Sequence, residues 1–208
     1  MNSFKNNVFK SRRDDIIEID ADFVVFTYQF FDGSDLDTRT RVVYPNIGMD
    51  VQPNYVGYGK LNTFPTSITW SNTVIPTGSI VDWAGDNTGL GYESVLLDIQ
   101  KLLIAQPATV EITVDLRCEW YGVKGVLPIE IKAVFYKGGA MIKGTPNSFQ
   151  YTNPTAISTF IYITPSKVVN MKYVDDTGLR GERFATFTYN FINKTGIFNN
   201  NDTTTPSI

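Results

Sequence analysis

Histidine is missing from this 208-residue sequence, and cysteine occurs once, at Cys118. The first absence removes Ser-His and Cys-His nucleophilic machinery together with histidine-based zinc sites. The second excludes a disulfide within the chain, and Cys118, which falls in an alternating strand pattern, reads as a small buried hydrophobe and not as a reactive thiol. Long apolar runs are absent as well. No stretch approaches the roughly 18 apolar residues of a transmembrane helix, and "MNSFKNNVFKSRRDD" has no apolar signal core, so the expectation is a chain made and folded in a reducing cytoplasm, with no membrane partner. Positive charge is scarce: 18 Lys and Arg against 21 Asp and Glu leave a net charge of −3 and a pI near 5.0. Four of the basic residues, Lys5, Lys10, Arg12 and Arg13, sit in the N-terminal segment. Phosphate therefore meets no general attraction, and nucleic acid is not an expected partner. What remains plentiful is carboxylate, hydroxyl and amide.

Apolar residues make up 42% of the chain and aromatic ones 13%, ample for a core. Their dominant period is two. In "ATVEITVDLRCEWYG" the residues Val110, Ile112, Val114, Leu116, Cys118 and Trp120 share one face, expected to be core, and Glu111, Thr113, Asp115, Arg117 and Glu119 the other, expected to meet solvent. After "GVKG", "VLPIEIKAVFYKGG" sets Ile129, Ile131, Ala133 and Phe135 opposite Glu130 and Lys132, so the two segments read as one long hairpin. Similar patterns recur in "DFVVFTYQFF", "TRTRVVYP", "TSITWSN", "SIVDWAG", "STFIYITP", "KVVNMKYV" and "RFATFTYNFI". The sum is about nine strands between Gly, Pro and Asn clusters, which predicts a mainly β fold, a two-layer antiparallel β-sandwich.

One segment departs from that period. "GYESVLLDIQKLLIAQP" places Val95, Leu96, Ile99, Leu102 and Leu103 at helical spacing with Pro107 as a stop, predicting one amphipathic helix of about three turns near 92–104. The expected organisation is an N-terminal polar arm over 1–20, a single sandwich domain over 21–195, and a flexible polar tail over 196–208.

Carboxylates crowd two places. "DGSDLDTRT" carries Asp32, Asp35 and Asp37, and "DWAGDNTGLGYES" carries Asp82, Asp86, Asn87 and Glu93 among three glycines. A hard divalent cation such as calcium takes about six to eight oxygen ligands from carboxylates, amide and backbone carbonyls and water. Asp35, Asp37, Asp86, Asn87 and Glu93 are residues of that kind, and Gly85, Gly89 and Gly91 would let the backbone curl around an ion. The competing reading is that Asp32-Gly33 and Asp86-Asn87 build ordinary Asx-turns, with Glu93 placed to favour a helix start.

The order of these pieces, a strand, "SDLDTRT", a strand, "VDWAGDNTGLGYESVLLDIQKL", then "ATVEITVDL", resembles the tellurium-resistance TerD family over residues 22 to about 136. That resemblance implies a β-sandwich that binds calcium through its acidic loops, and carries ligation onto Asp35, Asp37, Asp86, Asn87 and Glu93. The chain departs from the family pattern in a shorter Gly-Asp-Asn loop, in Gly91-Tyr92 where the family has paired aspartates, and in the Thr-Arg-Thr that follows Asp37. More narrowly, "DLDTRT", "DLRCEWYG" and "FYKGGAM" are similar to virion structural proteins of tailed bacteriophages, especially those infecting Bacteroidetes.

The expected function is therefore a non-enzymatic virion component, head- or tail-associated, assembled in the bacterial host cytoplasm and working through contacts with copies of itself and with other virion proteins. Two alternatives stand beside it: a cellular TerD-like calcium-binding stress protein, and a carbohydrate- or receptor-binding module using Tyr55 and Tyr58 of "PNYVGYGK" to contact a glycan or host receptor. Catalytic readings fare poorly. Asp35 and Asp37 are neighbours on one segment, where the glycosidase mechanism needs carboxylates straddling a bond by roughly 5 to 9 Å, and "GYGKLNT" lacks both the hydroxyl and the glycine spacing of a phosphate loop.

Overall fold

The computed structural model describes residues 20–33, 35–49, 54–59, 61, 63–65, 78–121, 123–144, 148–152, 155–164 and 182–200. Within them the chain runs β1 (Phe23–Phe30), β2 (Asp35–Tyr44), β3 (Val56–Gly57), β4 (Thr63–Phe64), β5 (Val81–Trp83), β6 (Gly91–Asp98) and α1 (Ile99–Ala105). Then follow β7 (Glu111–Tyr121), β8 (Ile129–Lys137), β9 (Ala140–Gly144), β10 (Ser148–Thr152), β11 (Thr155–Thr164), β12 (Glu182–Asn190) and β13 (Thr195–Asn200). The first sheet has the order β11-β8-β1-β6-β5-β4 and the second β13-β12-β7-β2-β3, every pairing within them antiparallel. Facing each other, they make the two-layer sandwich that the period-two pattern predicts. The predicted strands "TSITWSN" and "KVVNMKYV", the arm over 1–19 and residues 201–208 lie outside the described residues.

Alternation explains the core. Val24, Phe26, Tyr28 and Phe30 of β1 face Ile112, Val114, Leu116, Cys118 and Trp120 of β7 across one apolar interior. Trp120 meets Phe30 edge to face at 5.9 Å, and Phe187 joins Phe26 and Phe135 at 5.6 and 6.1 Å. Cys118 is buried and takes part in no disulfide. Burial of these large side chains, at about 25 cal/mol per Å² of apolar surface, is what holds the sheets together.

Four expectations need correction. β7 and β8 are not a hairpin: β7 pairs with β2 and β12 in the second sheet, β8 with β1 and β11 in the first. Residues 123–128, ending in Pro128, lie in an arch from one layer to the other. The predicted helix begins seven residues late. Val95 and Leu97 of β6 point into the core, while Leu96 packs outward with Val25 under Met141 of β9 and Phe149 of β10. Two-sided burial makes β6 read as a continuous apolar run, and such a run does not distinguish strand from helix. The helix starts only where Asp98 caps it, its side chain accepting from Lys101 N–H at 2.9 Å. The tail contributes a strand, because Phe198 of β13 stacks on Tyr162 and packs on Phe187.

The fourth correction concerns the polar face of β7. Asp115, Arg117 and Glu119 are buried and not solvated. Their register brings them beside the charges of β2: Arg39 opposite Arg117, Arg41 opposite Asp115, Asp37 opposite Glu119. Arg39 pairs with Glu119 at 2.9 Å, and Arg117 and Arg41 both reach Asp115 at 3.2 Å. Tyr55 covers them, its hydroxyl 3.4 Å from Asp115 and its ring under the guanidiniums of Arg41 and Arg117 at 4.9 and 5.8 Å. Pairing is what makes burial of such charges tolerable.

Candidate metal centre

β2 carries the predicted "DLD" pair on a strand and not, as expected, on a loop. Residues two apart on a strand share a face; hence Asp35 and Asp37 stand together on the side opposite Leu36 and Thr38, which point into the core. Between β5 and β6 the chain passes through 84–90, which brings Asp86 to them from the other sheet. One carboxylate oxygen from each of Asp35, Asp37 and Asp86 lies within 4.8 Å of the others, Asp35 and Asp37 buried and Asp86 half-buried. Oxygens on one calcium at about 2.3 to 2.6 Å can lie up to about 5 Å apart, so these three fit a single ion. At that spacing two carboxylates repel by about 3 to 4 kcal/mol at an effective dielectric near 20, and a bound cation offsets this.

Glu93 and Asn87 stand next to that group with different engagements. Glu93 projects from β6 into the interior between the sheets and is fully buried. It accepts from the Thr38 hydroxyl, from Thr38 N–H at 3.3 Å, from Trp83 Nε1 at 3.3 Å and from Asn87 N–H at 3.2 Å. Burial pushes its carboxyl well above the ordinary range, the Thr38 and Asn87 bonds oppose the rise, and the neighbouring Asp86 adds to it. Asn87 forms a turn: its Oδ1 accepts from Gly89 N–H and its Nδ2 donates to the Tyr92 carbonyl, each at 3.3 Å. Gly91 is needed beside it, since its φ is +145° and a Cβ there would stand 2.9 Å from Asn87 Nδ2. So of the five residues singled out by sequence, three gather as one oxygen cluster, and two brace the loop that delivers the third.

Other acidic residues have other work. Asp32, in the same "DGSDLD" run, accepts from Val126 N–H at 2.7 Å and Leu127 N–H at 3.0 Å, tying the β1–β2 turn to the arch after β7. Asp82 points away from the core cluster yet is buried, its carboxyl raised to about 7 chiefly by burial, with the neighbouring Ser79 acting against the rise. Sequence reasoning missed Thr38 and Trp83, the donors that lock Glu93, and the buried arginines. The complementary strings "DTRTR" and "DLRCE" on adjacent strands were the available signal.

Tyr55 is fully buried among the arginines, and Tyr58 is half-buried with its carbonyl accepting from Arg39 Nε at 3.0 Å. Neither forms an open aromatic platform. Among the described residues no helix is long and apolar enough to cross a membrane. No protein-family model, no curated protein and no solved structure matches this chain.

Proposed function

We propose that the chain is a calcium-binding β-sandwich of the TerD type with a non-enzymatic, structural role, serving as a head- or tail-associated component of a tailed-phage particle. The observation that carries the reading is the meeting of Asp35, Asp37 and Asp86, which come from two sheets and 51 positions of chain into one oxygen cluster. An ion there would clamp the start of β2 to the 84–90 loop, with carboxylates supplying part of the shell and water or main-chain carbonyls the rest. Stiffening a joint between layers is a structural task. Glu93, a buried acid beside Asp86, serves the same joint by linking β6 to β2 through Thr38.

Exposed isoleucines favour the assembly half of the reading. Ile161 and Ile163 on β11 and Ile197 on β13 are 53%, 60% and 59% exposed. Large apolar side chains of that kind suit contacts with further copies or with neighbouring virion proteins. The test is mass spectrometry and cross-linking of purified particles from a host that carries the sequence. The chain recovered in many copies and cross-linked to itself or to a head or tail protein supports the proposal. Its recovery only from host cytosol, as a calcium-dependent monomer, would favour the cellular TerD-like alternative.

A further inference from the structure

At the end of the sandwich where β1 begins, opposite the end that holds the aspartates, lies a cavity of about 300 Å³. That is space for roughly ten water-sized groups. Asp20, Lys137, Ser158, Tyr189, Phe191 and Lys194 line it, with Ile157 and Ala21 adding apolar wall. Apolar surface from Ala21, Ile157 and Phe191 alternates in it with polar groups, Ser158 standing beside Tyr189. Phe135 stacks on Tyr189 at 4.1 Å and Phe191 meets its edge at 5.4 Å, so the floor is fixed.

Two lysines stand at the mouth, each facing an aspartate. Lys194 ends the turn between β12 and β13, where Asn190 Oδ1 accepts from both Ile192 N–H and Asn193 N–H at 3.0 Å. Its φ is +55°, which makes it the non-glycine residue with positive φ among those described. Glycine or asparagine fills such a position at less cost, so a lysine there points to a use for its side chain. Lys137 stands on the same rim, 3.4 Å from Asp22. Asp20 bonds to Lys194, and that bond holds the Asp20 carboxyl below its ordinary range. Asp20 is thus an intramolecular carboxylate resting on the amino group at the mouth of a cavity with apolar walls at Ile157 and Phe191. Both partners are largely exposed, 42% and 58%, and exposed pairs of this sort exchange readily.

We propose that this cavity is a binding site for a small organic carboxylate, whose apolar or ring body lies against Phe191 and Ile157 and whose carboxylate displaces Asp20 to bridge Lys194 and Lys137. The proposal is independent of the ion at the other end of the molecule. A simple aromatic or aliphatic acid and an acidic sugar share this chemistry, and the arms of the test separate them.

The experiment is titration of the full chain with benzoate, hexanoate, glucuronate and the neutral analogue benzamide, followed by amide NMR, with and without EDTA. At least one of the three acids saturates the amide shifts of Ser158, Asn193 and Lys194 with affinity on the order of 1–10 mM, and benzamide binds at least tenfold more weakly. Benzoate or hexanoate binding alone marks a simple acid site, glucuronate binding alone a sugar-acid site. Asp20→Asn removes the internal competitor and tightens binding several-fold. Lys194→Gly, which suits the backbone and keeps the fold, weakens it at least tenfold, and Lys194→Arg restores most of it. EDTA changes nothing. The proposal is overturned if none of the acids gives a saturable shift, if benzamide equals benzoate, or if Lys194→Gly binds like the parent.

Discussion

Thr38 on one sheet gives both its backbone N–H and its hydroxyl to a single carboxylate, that of Glu93 on the facing sheet. Strand β3 pairs only with Arg39 and Thr40 of β2, which leaves the Thr38 N–H to an acceptor from outside the ladder. The joint that carries the candidate ion is therefore also a polar bond between layers, buried where an unmatched donor or acceptor costs about 1–3 kcal/mol.

Thr38→Val keeps the shape of the side chain and removes the hydroxyl. It should lower stability by about 1–3 kcal/mol in urea unfolding, and Thr38→Ser should recover most of the loss. Equal stability of the Val variant and the parent would mean that the hydroxyl bond carries no weight.

Asp82 makes stability depend on pH. Its folded carboxyl titrates near 7, against 3.8 for the ordinary group, with burial as the main cause. The folded state therefore holds a proton that the unfolded state has already released. The stabilisation is full below about pH 4 and is lost as pH rises toward 7, with a slope of about 1.4 kcal/mol per pH unit at most. Asp82→Asn should flatten that part of the profile and raise stability at pH 8 by a few kcal/mol. Urea midpoints between pH 4 and pH 8 provide the check.

The Arg39–Glu119 pair, 1% and 4% exposed, predicts strong coupling. Arg39→Met takes the counter-charge away from a buried carboxylate and should cost about 3–5 kcal/mol, whereas Arg39→Met with Glu119→Leu should regain most of it. A double-mutant cycle with near-zero interaction energy would show that the pair is not the reason these charges tolerate burial.

How much of this was legible beforehand follows from how burial writes itself into sequence. Strands buried on one face and more open on the other, such as β8 and β12, alternate plainly and read as strands. β6 did not, because the β9–β10 hairpin buries its second face through Leu96, Met141 and Phe149. Arg117 and Asp115 looked solvent-facing for the opposite reason: charge in a sequence signals water unless the partner strand is known to supply the matching charge. The acidic cluster was legible in residue type at Asp35, Asp37 and Asp86. The separate duties of Asn87 and Glu93 were not, since a carboxylate placed where it could take an ion and one that accepts four hydrogen bonds are spelled alike.

The most direct test of the account is thermal unfolding of the full chain and of Asp86→Asn, each in saturating calcium and in EDTA. Calcium at about a hundred times its dissociation constant adds about 2.7 kcal/mol, which for a chain of this length raises the melting temperature by roughly 5–10 °C. In EDTA the Asp86→Asn variant should melt at or above the parent, because one repelling carboxylate is gone, and in calcium most of the gain should vanish. Melting temperatures of the parent that agree within about a degree in calcium and EDTA, well below the shift expected from saturation, would contradict the claim that Asp35, Asp37 and Asp86 hold an ion.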